Sequence, residues 1–445
     1  MENLQVAERR IALRAAGSRW LRRGTRGVRA VARRRRLIGL LAILGPGMIT
    51  ANAGNDAGGI ATFASVGTEY GYRLLWILLP IAISLGLVQE MCARMGAVTG
   101  KGLADLIRER FGVRWTALVM LALLIANGGV TVSEFVGVAA ATEIFGIPRY
   151  VSVPLGAFAI WWLIVKGTYH RVERVFLLMS LVFLGYVVSA FLARPNWGTV
   201  AVELVRPSFS VHPAYLFTVV AVIGTTISPY MQVYVQSSVV DKGVTPQDYA
   251  RTRIDVWVGT IFAILIVFFI VISTAATLHK HNIHIESAGD AARALQPLAG
   301  AYAEALFAIG LFGASMLAAG VLPLATAYSV SEALGFEKGV SRSFRDAPIF
   351  LGVFTFLVAF GAAVAVIPEL PIMRVLLVTQ VINGVLLPIV LIAIMRLVND
   401  RTLMGEHVNS RLHNIGAWLT VIIVTILSFL LVISSLFAGL FGSAK

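Results

Sequence analysis

An aspartate lies inside an apolar run near the start of the chain, with helix-weakening residues around it. Residues 52–59 read Asn-Ala-Gly-Asn-Asp-Ala-Gly-Gly, and residues 45–47 before them read Gly-Pro-Gly. Proline removes an amide donor, and glycine costs about 1 kcal/mol relative to alanine inside a helix. Unpaired backbone cannot face lipid, and a carboxylate at that depth is expensive. The break and the charge together predict a cation bound beside Asp56, between two half-helices. The alternative is glycine-mediated helix packing around a hydrogen-bonded aspartate.

A second apolar run is interrupted in a similar way. Residues 224–229 read Gly-Thr-Thr-Ile-Ser-Pro, which predicts a break near the middle of that helix. Hydroxyl groups, freed carbonyls and the amides of Gln232 and Gln236 are expected to cluster at the break. Two interrupted helices in corresponding positions are typical of inverted-repeat transporters, which bind substrate near the membrane midplane.

The composition places these runs in a membrane. The chain has 445 residues, of which 58% are hydrophobic and 13% are charged, whereas soluble domains carry about 25% charged residues. Recurrent apolar stretches of about 20 residues are long enough to cross the hydrocarbon layer. They predict an all-α polytopic membrane protein with eleven transmembrane helices. The predicted spans are 37–66, 74–97, 115–145, 150–166, 175–193, 213–239, 254–278, 300–333, 346–368, 372–396 and 412–440.

The positions of lysine and arginine predict the orientation. With the N-terminus in the cytoplasm, most of the 37 basic residues fall on the inner side. The basic residues left outside are Arg73, Arg149, Arg194, Arg206, Lys280, Arg293, Arg374 and Lys445. Residues 1–36 end in four arginines and are interpreted as a cytoplasmic tail that touches anionic lipid in the cell membrane. A presequence, a secretory signal and nucleic-acid binding by the tail are less favoured, and no nucleic-acid partner is expected.

The predicted fold is a LeuT-like 5+5 inverted repeat in which helices 1 and 6 are broken. Residues 37–200 form the first repeat, with helices 1–5, and residues 201–398 form the second, with helices 6–10. Residues 399–445 contain helix 11 and the C-terminus. The chain is expected to act as a monomer.

The two broken segments also resemble a known family, the natural resistance-associated macrophage protein (NRAMP) family of divalent-metal transporters. In its first helix that family has Gly-Pro-Gly followed by Asp-Pro-Gly-Asn, where this chain has residues 45–47 and then Asp56-Ala57-Gly58-Gly59. In its sixth helix the family has Gly-Ala-Thr-Val-Met-Pro-His, where this chain reads Gly-Thr-Thr-Ile-Ser-Pro-Tyr over residues 224–230. The segments 132–148 and 399–418 resemble the family as well.

The departures from the family pattern indicate the substrate. The resemblance implies that the family's aspartate, asparagine and methionine side chains contact a transition metal, together with a carbonyl of the sixth helix. Here only Asp56 is kept, while Gly59 and Ser228 replace the asparagine and the methionine. Thr225 holds the position of the carbonyl-donating alanine. Loss of a soft thioether and a wider cavity would suit Mg²⁺, which keeps part of its water shell.

This pattern is similar to that of the prokaryotic NRAMP-related magnesium transporters, and it implies transport of Mg²⁺ and also of Mn²⁺. The predicted metal site consists of Asp56, Gly59, Thr225, Ser228, Tyr230, Gln380 and Asn383. Gln380 and Asn383 have helix–helix hydrogen bonding as an equal alternative. The metal is expected as a transported substrate, so no cofactor is predicted.

The proton carriers of the coupled family members are replaced. The resemblance implies a histidine after the sixth-helix proline and an Asp–Glu pair on the third helix; this chain has Tyr230, Thr131 and Glu134. Tyrosine titrates far above physiological pH, which predicts uniport uncoupled from protons. A classical proton-coupled Mn²⁺/Fe²⁺ symporter is the alternative. An amino-acid carrier is disfavoured because Asp56 would repel a carboxylate. A membrane enzyme and a metal-sensing receptor are disfavoured because no catalytic motif or output module is present.

Overall fold

The computed structural model describes residues 45–281, 301–367 and 372–441, and all regular elements in these ranges are helices. The predicted tail 1–36 and the start of the first predicted span lie outside the described residues. The α-helices are α1 (Pro46–Ala53), α2 (Ala57–Tyr70), α3 (Leu78–Thr99), α4 (Leu103–Phe111), α5 (Val113–Glu143), α6 (Arg149–Lys166), α7 (Tyr169–Ser180), α8 (Leu184–Leu192), α9 (Trp197–Val205), α10 (Pro213–Thr226), α11 (Pro229–Asp241), α12 (Tyr249–Thr277), α13 (Ala301–Leu334), α14 (Pro348–Ala365), α15 (Ile372–Val398), α16 (Arg401–Met404) and α17 (Arg411–Phe441).

Both predicted helix breaks are confirmed. Helix α1 ends at Ala53 and α2 begins at Ala57, while α10 ends at Thr226 and α11 begins at Pro229. Pro229 occupies the first position of its helix, where the missing amide would have no intrahelical acceptor. The first break follows from Asp56, whose carboxylate caps α2 by accepting a hydrogen bond from the Gly59 amide.

Nine helical segments in the described parts of the chain are long and apolar enough to cross a membrane. Two of these segments consist of consecutive helices: Tyr169–Leu192 contains α7 and α8, and Pro213–Asp241 contains α10 and α11. The first predicted span, of which only the part from residue 45 is described, is not among them, and neither is α6. The count of eleven transmembrane helices and the repeat boundaries therefore stay predictions.

Some helices extend further than hydropathy predicted. The predicted span 175–193 begins at Tyr169, and the span 254–278 begins at Tyr249. Backbone hydrogen bonding continues into the polar flanks, where hydropathy gives no signal. Short connecting helices such as α4 were not predicted, because they are too polar for a transmembrane window. Helix α4 is anchored by its apolar face and by Glu332, which accepts a hydrogen bond from the Ala104 amide at 3.1 Å.

The two broken segments lie at the centre of the helical bundle. Helix α12 packs against both α1 and α2, α10 packs against α15, and α5 packs against α13. Gly224 and Gly384 let the backbones of α10 and α15 touch, since a Cβ on Gly224 would lie 2.5 Å from the Gly384 nitrogen. This contact brings Gln380 of α15 to the break. Large apolar side chains are exposed on outer helix faces, for example Leu118 and Phe158, as expected for surfaces that contact lipid.

Candidate metal site between the broken helices

Asp56 lies at the gap between α1 and α2, and its side chain is fully buried. Its Oδ1 accepts a hydrogen bond from the Gly59 amide at 2.6 Å and one from Gln380 Nε2 at 3.2 Å. Its Oδ2 has long contacts with the Tyr230 hydroxyl and with Gln380 Nε2, each at 3.5 Å. In the described part of the chain, Oδ1 thus has the shorter hydrogen bonds and Oδ2 the longer ones.

The polar side chains of three helices meet around this carboxylate. Gln380 of α15 contacts Asp56, and Asn383 donates from Nδ2 to Gln380 Oε1 at 3.4 Å. The Asn383 Oδ1 is buried and accepts no hydrogen bond from a described residue. The Tyr230 hydroxyl donates to the Ala53 carbonyl, the last carbonyl of α1, at 2.8 Å. Gln380 thus links α15 to the site, whereas the hydrogen bond of Asn383 to Gln380 stays within α15.

Ser228 and Thr225 bond to backbone carbonyls that the breaks set free. The Ser228 hydroxyl donates to the carbonyls of Gly224 and Thr225, at 2.6 and 3.1 Å. The Thr225 hydroxyl donates to the Gly54 carbonyl at 3.2 Å, which joins the two broken segments directly. These hydroxyls satisfy carbonyls that a bound cation could use instead.

The space beside Gly59, where the sequence predicts a wider cavity, is occupied in this conformation. A Cβ on Gly59 would lie 2.7 Å from both the Gly54 carbonyl oxygen and Thr225 Oγ1. The space freed by the glycine is therefore filled by the unwound backbone and by the threonine hydroxyl. The expectation considered the loss of the asparagine side chain but not the added volume of threonine at the alanine position of the family pattern.

Gly58 serves a separate purpose in the packing. A Cβ at this position would lie 2.1 Å from Gln380 Nε2, so a side chain here would displace the glutamine. Glycine at position 58 thus allows α15 to reach the carboxylate of Asp56.

The donor set around Asp56 consists mainly of oxygen atoms. No three His, Cys, Asp or Glu side chains come together as a metal centre in residues 45–281, 301–367 and 372–441. A hard cation such as Mg²⁺ binds through one or two carboxylates, neutral oxygens and water. One soft atom near the site was not predicted from the sequence. The thioether of Met231 lies next to Gly54, and Met231 follows Ser228 by about one helical turn. Because Met231 does not occupy the methionine position of the family pattern, the sequence did not indicate it as a candidate ligand.

A second carboxylate lies at the start of α2. Glu134 of α5 is fully buried, and its Oε2 accepts a hydrogen bond from the Ala57 amide at 3.0 Å. Two acidic side chains, Asp56 and Glu134, thus cap the first turn of one helix, where the helix dipole favours negative charge. The Thr131 hydroxyl donates within its own helix, to the Asn127 carbonyl. Glu134 therefore has a structural role as a cap of α2. The sequence alone did not distinguish this role from that of a carboxylate that binds and releases protons.

The other end of α1 is held by an acidic residue that sequence reasoning missed. Asp255 of α12 accepts hydrogen bonds from the amides of Gly45, Gly47 and Met48, at 2.8, 2.7 and 3.2 Å. The Lys242–Glu173 ion pair, at 2.7 Å, lies beside it. The sequence marks Asp255 only as an acidic residue in the second turn of an apolar helix. Its hydrogen-bond partners lie more than 200 positions away in the chain, so the sequence does not indicate what it binds.

A cavity of about 420 Å³ begins one helical turn from the site. Its walls include Thr62, four residues after Gly58, and Ala221, four residues before Thr225. Leu377 of α15, three residues before Gln380, lies in the same wall. Residues one helical turn from Gly58, Thr225 and Gln380 therefore line this cavity.

The fold and the site together define the class of protein: a polytopic helical transporter with two broken helices, and not an enzyme. The structure is similar to that of Mhp1, a nucleobase-cation-symport-1 family transporter, with a TM-score of 0.53, 14% identity and coverage of 88% of this chain and 91% of that chain. This likeness supports the LeuT-like fold class.

Comparison of sequences then gives the family. The model described as natural resistance-associated macrophage protein-like matches residues 47–434, and the chain belongs to this family. It is 30% identical over 421 residues to the divalent metal cation transporter MntH of Ralstonia nicotianae, covering 88% of this chain and 91% of the relative. The manganese transporter of Eremococcus coleocola has a similar fold, with a TM-score of 0.74, 21% identity and coverage of 91% and 89% of the two chains. In such a transporter the metal is a transported substrate and not a cofactor.

Proposed function

We propose that this chain carries hard divalent cations across the cell membrane, Mg²⁺ first and Mn²⁺ second, without coupling to protons. The observation that carries the proposal is the single carboxylate of Asp56 in the break of helix 1, with the Gly59 amide, the Gln380 side-chain amide and the Tyr230 hydroxyl beside it. The family and the name of the Ralstonia relative support divalent-metal transport in general. The preference for Mg²⁺ and the absence of coupling rest on the residues of this chain alone.

The choice of ion depends on what surrounds Asp56. Ser228 offers a hydroxyl, and its neighbours offer carbonyls, where the family pattern has a thioether. Because soft sulfur ligands favour transition metals, their replacement by oxygen lowers the preference for Mn²⁺ over Mg²⁺. The nearby thioether of Met231 supports retention of Mn²⁺ as a second substrate.

Ion entry requires a local rearrangement. Gln380 contacts both oxygens of Asp56, and Thr225 closes the space beside Gly59. We infer that Gln380 and the Tyr230 hydroxyl turn away from the weakly held Oδ2 when the ion binds. A small, partly hydrated cation needs the least displacement, since water molecules can replace the missing protein ligands.

The energy for uptake comes from the membrane potential. A divalent cation gains about 4.6 kcal/mol per 100 mV, twice the value for a single charge. Because the membrane potential alone can drive uptake, transport does not require a proton carrier. The residue after the Pro229 break is Tyr230, whose hydroxyl donates a hydrogen bond to the Ala53 carbonyl. The proposed transporting unit is the monomer, with its N-terminus in the cytoplasm.

The test is flux of Mg²⁺, Mn²⁺ and Ca²⁺ into proteoliposomes that contain a pH dye, with an imposed potential. We expect Mg²⁺ and Mn²⁺ uptake without a change of internal pH. Asp56→Ala is expected to abolish uptake, whereas the control Asp346→Ala, at an exposed loop position, should keep it. Mn²⁺ uptake with internal acidification and no Mg²⁺ uptake would instead favour the proton-coupled Mn²⁺/Fe²⁺ symporter.

A further inference from the structure

An apolar crevice of about 840 Å³ opens between α3, α10 and α17, away from the metal site. Its walls include Ile81 of α3, Val219 of α10, and Leu419 and Ile423 of α17. All three helices are candidate membrane spans, so the crevice lies at membrane depth. Its volume falls within the range of pockets that bind small molecules.

One residue of the crevice lining has a polar group without a partner. Trp76 lines the crevice, and its indole N–H is buried without an acceptor among the described residues. The ring of Phe209 packs edge-on against it, with ring centroids 4.9 Å apart. A buried donor without a partner costs free energy, so a ligand with an acceptor at this position would be stabilised.

Two arginines lie close in the chain to residues that line the crevice. Arg73 lies three positions before Trp76 and Arg206 three positions before Phe209, while the acidic Glu69 and Glu203 lie further from these lining residues in the sequence. Both arginines are exposed, and the Ser208 hydroxyl ties their two segments together by donating to the Arg73 carbonyl at 2.9 Å. An ester carbonyl beside the indole and a phosphate near the guanidinium groups complement these features.

We propose that the crevice binds one acyl chain of a phospholipid, whose ester oxygen accepts from Trp76 and whose phosphate lies near Arg73. Tryptophan and arginine are the residues that anchor proteins at the headgroup level. Inside the crevice, Ser84 and Thr420 hydrogen-bond to each other at 2.8 Å, which leaves an apolar surface for the chain. The inner wall includes Ile227, the residue of the second helix break. The lipid therefore contacts the segment that precedes Ser228.

The test is native mass spectrometry of the purified full-length protein in detergent, with palmitoyl-oleoyl phosphatidylglycerol as the probe. Ile423→Trp places a bulky ring in the crevice. Ile422→Trp is the matched control, since Ile422 is also exposed on α17 but does not line the crevice. Trp76→Phe keeps the ring and removes the donor.

We expect one phosphatidylglycerol to stay bound to the unaltered chain and to the Ile422→Trp variant. Ile423→Trp should lower the bound fraction at least tenfold, and Trp76→Phe should weaken binding about fivefold, the effect of one hydrogen bond. Equal retention by the two tryptophan variants would overturn the proposal, as would an unaltered chain that retains no lipid. Thermal unfolding of each variant checks that the fold is intact, and metal flux is not needed for either result.

Discussion

Substitution of Gly59 by alanine tests whether the packing at the first helix break controls transport. The added Cβ would lie 2.7 Å from the Gly54 carbonyl oxygen and from Thr225 Oγ1, and 3.2 Å from Asp56 Oδ1. Contacts below 3.0 Å are essentially never seen for a Cβ, so the broken segments must separate by a few tenths of an ångström. The hydrogen bond from Thr225 to the Gly54 carbonyl lies in the way and has to lengthen.

The size of the effect follows from the cost of overpacking. An added methyl group in a tightly packed interior costs about 1–3 kcal/mol, which corresponds to a change of about 5- to 150-fold in the population of this conformation. If transport passes through this conformation, the flux of Mg²⁺ should fall by a factor in that range. Thr225→Ala removes one of the two close contacts, so the Gly59→Ala/Thr225→Ala double variant should recover part of the flux.

The assay is the initial rate of Mg²⁺ uptake into proteoliposomes at a fixed potential, normalised to the amount of inserted protein. Gly352→Ala is the control, because a Cβ on Gly352 in α14 meets nothing within 4 Å. Unchanged flux in Gly59→Ala, or no recovery in the double variant, would refute the view that the glycine and the threonine fill one space.

Three further perturbations address selectivity, coupling and the N-terminal end of α1. Ser228→Met restores a thioether at the second break, so the ratio of Mn²⁺ to Mg²⁺ uptake should rise severalfold in a competition assay; an unchanged ratio would contradict the ligand argument. Glu134→Gln keeps an acceptor for the Ala57 amide, so uptake should stay within severalfold of the original and remain independent of external pH. Asp255→Asn weakens three charge-assisted hydrogen bonds to α1 by about 1 kcal/mol each. The end of α1 should then open more often, so a cysteine placed at position 48 in a Cys92→Ala background should be alkylated faster. Alkylation at the original rate would mean that Asp255 does not restrain α1.

The sequence was sufficient to predict the two breaks and the residues beside them. Glycine, proline and a lone carboxylate within apolar runs conflict with a continuous membrane helix, and this conflict is local. The breaks at Gly54–Asp56 and at Ile227–Ser228 therefore appear where they were expected. Gln380 was selected as a polar residue in an apolar helix, and the structure brings it to Asp56.

The volume of the site could not be predicted in the same way. It depends on how closely Gly59 of one segment approaches Thr225 of another, 166 positions later in the numbering. The sequence suggested a cavity from the small residues at two positions, but the threonine side chain offsets this loss of volume. Asp255 was missed for a similar reason, because its partners are backbone amides. Amides are present at nearly every residue and leave no pattern in the sequence.

The attachment of α1 to Asp255 has an evolutionary consequence. All three donors are main-chain groups, so exchange of the Met48 side chain need not break the link. A Cβ on Gly47 would lie 2.6 Å from Val256 Cα, however, and one on Gly45 would lie 2.5 Å from Lys242 Nζ. One replacement at position 255, in contrast, would release the whole end of the helix. Natural variation is thus expected to be unevenly tolerated across this junction, with freedom on the donor side limited mainly by steric fit and very little freedom for the acceptor.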